Sequence, residues 1–171
     1  EALADAKAKL APSALWWFRW GAMFTFITGL YLLHVATGLG QLNNYIVVGA
    51  AMGTIMFLNV WTVIWPAQKI ALGLVEGGDK AAAAGKALLA SRTNVLFSAP
   101  MALGMLAGAH YPGHGYGTGV GGTGLIVMLV IVALLEVNAL VGKQGPMTTV
   151  KGVIHSSLGL TAVMVAVLNY L

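Results

Sequence analysis

No cysteine occurs among the 171 residues. That absence excludes a disulfide framework, an iron–sulfur cluster, a thiolate metal site and covalently attached c-type haem within this chain. Acidic residues are also scarce, at five, against nine Lys and Arg. No paired carboxylates, no Ser-His-Asp set and no thiol nucleophile can be assembled, so no residue is assigned a catalytic role. Charged residues together make up only 8%, whereas a soluble domain carries roughly 25%. So few charges cannot build a surface that faces water on all sides.

Apolar residues fill the space the charges leave, at 58%. They are gathered in runs near residues 15–39, 45–65, 95–110, 124–141 and 150–171. A helix crossing a bilayer needs about 20 residues, and in lipid only structures that satisfy their own backbone can cross. The expected fold is therefore all-α: an integral membrane helical bundle of five transmembrane helices forming one domain. Residues 70–92, rich in Ala, are expected to form a cytoplasmic surface segment, and Ser13 to cap the first span.

The basic residues fall before the first span (Lys7, Lys9), at its start (Arg19), and in alternate connections (Lys69, Lys80, Lys86, Arg92; Lys143, Lys151). The other two connections, "GLGQLNN" and "YPGHGYGTGVGGTG", contain none. This alternation is the positive-inside pattern. It places the basic loops in the cytoplasm and the C-terminus outside. A topological role accounts for every basic group, so no nucleic-acid partner is expected. The partners expected are the lipid bilayer and other membrane subunits. Trp16, Trp17, Trp20, Trp61 and Trp65 all sit at the cytoplasmic ends of the first two spans, where indole rings anchor helices at the headgroups. In "NVWTVIWPAQK", Pro66 is expected to kink or end the second span, because its ring opposes the carbonyl of Thr62.

Two constellations carry possible chemistry. His34, His110 and His114 lie toward the outer face, and His155 toward the other. Two His on different helices at one depth can ligate a haem b iron, which points to His34 and His110; with His114, a copper or zinc site is the metal reading. The ordinary reading is an interfacial His bonded to water, headgroup or backbone. The second constellation is Arg19, Asn59, Asn94, Glu136, Asn138 and His155, one or two turns inside the cytoplasmic edge. An ionisable group at that depth marks either an ion path or an interhelical lock. No Asp or Glu in the outer half of any span continues a path, which favours the lock. Within it, Arg19 and Glu136 are expected to pair, and Asn59 to bond to Asn94.

Four unusual words occur in order: "ALWWFRWGAMFTFITGL", "NVWTVIWPAQK", "SRTNVLFSAPM" and "AHYPGHGYG". Together they resemble the membrane domain of the bacterial membrane-bound urate oxidase family. The resemblance covers most of residues 1–116 and fades past 120. Its longer members carry a C-terminal cytochrome c domain, so it implies electron-transfer surroundings, with a cytochrome c on the outer face among the partners. It also implies a sixth span upstream of residue 1. The resulting expectation is an anchoring or bridging subunit of a respiratory or other electron-transfer complex. A haem- or metal-binding redox carrier, or a small-solute channel or transporter, remains the alternative.

Overall fold

The computed structural model describes residues 2–110 and 119–171. Among these the chain is all-helical, without a strand. The elements are α1 (Ala2–Gly38), α2 (Asn44–Leu58), a π-helical turn (Asn59–Ile64), α3 (Trp65–Ala71), α4 (Lys80–His110), α5 (Thr123–Val141), a 3₁₀ turn (Gly145–Thr148) and α6 (Val150–Tyr170). Among the described residues four helices are long and apolar enough to cross a membrane: Leu10–Gly38, Asn44–Ala71, Thr123–Val141 and Val150–Tyr170.

The core is built by α2, α4, α5 and α6. Tyr45, Val48 and Met52 of α2 meet Leu96 and Phe97 of α4, Met128 and Val132 of α5, and Leu160 and Met164 of α6. Helix α4 is packed against α2, α3, α5 and α6, which makes it the central rod. Its close fit to α2 depends on two glycines: the Gly49 and Gly104 backbones touch, with no room for a side chain on Gly104. Pro100, buried within α4, has no N–H for the ladder, and one residue before it the Ala99 N–H donates to Ser157 Oγ of α6 at 3.3 Å.

Three boundaries differ from the sequence reading. Ser13 caps nothing, because α1 runs unbroken from Ala2 through Pro12. Residues 70–92 are not one surface segment. They divide into the end of α3, a turn, and the first half of α4. Ala87, Leu89 and Ala90 in that half are buried, because an Ala-rich helix without a breaker simply continues into the apolar part. Third, Pro66 does not end its rod, which continues through it to Ala71. The turn before it widens to a π-helix in which the Trp65 N–H donates to the Val60 carbonyl, five residues back. A widened turn is one way for a helix to accommodate a proline ring that would otherwise oppose the carbonyl four residues back.

The α5–α6 connection is tied to α4 through a basic side chain, in addition to the buried Met147. Arg92 Nη1 of α4 donates to Gln144 Oε1 at 2.9 Å and to the Met147 carbonyl. Thr149 then caps α6, accepting from the Gly152 N–H at 3.0 Å. Arg92→Ala is expected to cost about 1.5–3 kcal/mol, the scale of hydrogen bonds to a charged group. A lowered unfolding midpoint in detergent, with faster proteolysis across residues 145–148, would show it. An unchanged digest would mean that the turn is self-supporting.

Candidate functional site: a polar lock beside a π-helical turn

The polar residues predicted as a single constellation separate into four places. Asn59, the first residue of the π-helical turn, is buried. Its Nδ2 donates to Asn94 Oδ1 of α4 at 3.0 Å and to Glu136 Oε2 of α5 at 3.0 Å. Asn94 Nδ2 in turn donates to the Met56 carbonyl at 3.0 Å, in the turn just before the π segment. An amide NH₂ has two hydrogens, and Asn59 directs one to each neighbouring helix. Three rods are thereby joined through one side chain.

Arg19 does not pair with Glu136, which has Asn59 as its partner. Its guanidinium instead lies among indole rings, 4.2 Å from the Trp65 centroid, 5.0 Å from Trp61 and 5.8 Å from Trp20. The physical reason is proximity along the rods. Helix α1 packs on α2 and the π-helical turn, so the aromatic surface of that turn reaches Arg19 first. Trp20 meets Trp61 edge-on at 5.6 Å, and Phe26 stacks flat on Phe57 at 4.2 Å. Trp16 touches both Trp17 and Trp20. The five predicted anchors therefore form one aromatic region, with Trp16 and Trp17 outermost and exposed.

Asn138 belongs to neither group. It closes the end of α5, exchanging two hydrogen bonds with the Lys143 backbone. His155 is exposed on α6. His34 is exposed on α1, and His110, the last residue of α4, is exposed as well. No described hydrogen bond joins His34 to His110, and no group of three metal-ligating side chains occurs among the described residues. His114 lies outside the described residues.

Two polar features were missed in the sequence. Arg92 was read only as a basic loop residue. At the end of the bundle away from the lysines, Asn43 is buried and caps α2, accepting from the Ile46 N–H at 3.0 Å. Beside it Asn44 exchanges hydrogen bonds with the Gly121 backbone, and Tyr45 Oη donates to Asn169 Oδ1 of α6 at 3.0 Å. The signal was available: "NNY" ahead of an apolar run is a helix-start signature.

Long apolar rods, a core shared by four of them and polar side chains bonded across helices define a multi-pass helical membrane protein. Residues 37–168 match the family model for the urate oxidase N-terminal domain, and the chain belongs to that family. No curated protein and no solved structure matches it.

Proposed function

We propose that the chain is the membrane-embedded scaffold of an electron-transfer complex, with five spans in a bacterial inner membrane. The lysine-bearing end faces the cytoplasm and the C-terminus faces outward. The observation that carries this reading is α1. Over its whole apolar length none of it is buried, although the other rods have closed a core of their own. Phe24, Ile27, Leu30, Tyr31 and Leu32 present a continuous apolar side to the surroundings. The polar groups at membrane depth support the same reading, since Asn59, Asn94 and Glu136 bond to one another across helices. Helix α4 is the fifth span. Its apolar part is shorter than the usual 20 or so residues, but α2 and α6 flank it throughout the core.

Isolation from native membranes in mild detergent tests the scaffold reading. A photo-crosslinker at Phe24 or Ile27 is expected to capture a redox subunit, and the complex to run well above the 17.7 kDa of the chain. A chain that crosslinks only to lipid overturns the proposal. A Soret band in the purified protein that vanishes on His110→Ala would replace it with the haem-carrier reading.

A further inference from the structure

We propose that Arg19, Trp20, Trp61, Trp65 and Lys69 form a binding site for a phosphate oxyanion at the lysine-bearing end of the bundle. Three side-chain donors in this cluster, Arg19 Nε, Trp20 Nε1 and Trp61 Nε1, are shielded from water and have no hydrogen-bond partner. Guanidinium and indole N–H groups can only donate, so their complement must be an acceptor. The guanidinium also has no carboxylate partner among the described residues, the carboxyl of Glu136 being engaged by Asn59. Three indole faces stabilise its charge in part but do not neutralise it. A second cation contacts the same ring: Lys69 Nζ lies 5.8 Å from the centroid of Trp65, and the Arg19 guanidinium 4.2 Å from it. Unpaired donors and an uncompensated charge at membrane depth are costly, and nature keeps them where something binds.

The chemistry selects the ligand. Two cations and two indole N–H groups call for several acceptor oxygens bearing negative charge, which a phosphate group supplies. All five side chains are partly exposed while the orphan donors are covered, so the ligand enters when an indole ring turns outward. Two sources present such a group at a membrane edge: the headgroup of an acidic phospholipid and free phosphate from solution.

The test uses the full chain, delipidated in detergent and separately in nanodiscs of phosphatidylcholine with or without phosphatidylglycerol. In the lipid arm, native mass spectrometry is expected to show phosphatidylglycerol retained by the unaltered protein. Arg19→Gln should reduce retention at least about tenfold, the scale of one charge-assisted hydrogen bond. Trp61→Phe, which keeps the ring and loses the donor, should reduce it several-fold, and exposed Lys86→Gln should leave it unchanged. In the solution arm, inorganic phosphate is added to lipid-free protein and tryptophan fluorescence is followed. A saturable change abolished by Arg19→Gln, without lipid retention, assigns the site to a free anion and upholds the oxyanion chemistry. If Arg19→Gln does not fold, Arg19→Lys and Trp61→Phe decide, since both keep the packing. Equal lipid retention in all variants with no phosphate response overturns the proposal.

Discussion

Gly104→Val is expected to separate α2 from α4 and to destabilise the bundle more than substitutions at Gly49 or Gly29 do. A β-carbon on Gly104 would lie 2.7 Å from the Tyr45 carbonyl oxygen and 3.0 Å from Gly49 Cα. Both are backbone atoms of a helix fixed by its own ladder, so neither can swing aside as a side-chain end would. Without a hydrophobic drive between helices in lipid, close backbone packing is much of what holds two rods together. Over-filling a packed interior costs about 1–3 kcal/mol, and a branched residue against backbone belongs at or above the top of that range. The graded control is on the facing helix. At Gly49 an added β-carbon would sit 3.3 Å from Gly104 and from the Met101 carbonyl, which is tight but not prohibitive. Gly49→Ala is therefore expected to cost clearly less. Gly29, with nothing within 4 Å of its added carbon, should tolerate Ala without loss or with a small gain in helix propensity, about 1 kcal/mol at most. Unfolding midpoints in one detergent should rank the variants in that order. A Gly104→Val protein as stable as Gly29→Ala would show that the α2–α4 contact is not the close one described.

These three glycines show where sequence reading reaches its limit. All sit in apolar helices, where a small residue allows close helix contact. Only the tertiary contact distinguishes Gly104, pressed on another backbone, from Gly29, which faces open space. The apolar runs of α5 and α6 were legible almost to the residue, because long uninterrupted hydrophobic stretches have one stable form in lipid. The meeting of Asn59 with Asn94 was legible too, since each is the polar break in its own run, near the same end. Glu136 as the third member was not assigned to Asn59. Helix α5 is apolar on nearly every side, so its sequence does not say which way Glu136 points. The π-helical turn was invisible for another reason. It alters the backbone by one residue per turn and leaves composition and spacing untouched. Pro66 signalled that something must change, but a kink, a stop and a widened turn satisfy the same steric rule. The start of α4 was misplaced because polarity was used as a boundary. Helix formation depends on backbone propensity, and Ala-rich residues 81–90 have as much of it as the apolar part that follows.

Asn59→Ala should be the most damaging polar substitution, and Glu136→Gln should be nearly silent. Truncating Asn59 removes the donor from two acceptors at once, Asn94 Oδ1 and Glu136 Oε2, each now 3.0 Å from it. An amide acceptor left without its donor costs about 1–3 kcal/mol, and a buried carboxylate stranded without its partner about 3–5 kcal/mol. Glu136 is only partly buried, which moderates the second figure, so a total loss of about 2–4 kcal/mol is expected. Glu136→Gln is different because the substituted amide still presents an oxygen to Asn59 Nδ2. The lock survives, charge is lost, and the change in stability should stay under about 1 kcal/mol. Glu136→Leu removes the acceptor and leaves one Asn59 hydrogen unpaired, so it should fall between the two. The measurement is unfolding in detergent together with recovery of the chain in its native membrane complex, and both readouts should follow the order Gln, Leu, then Ala at position 59. The order separates a lock from a proton or ion site. A lock needs an acceptor at 136 and is indifferent to whether it titrates; an ion path needs a carboxyl. A Glu136→Gln protein that folds and assembles normally yet loses electron-transfer or transport activity would therefore make Glu136 a working group, with Asn59 and Asn94 as its positioning residues.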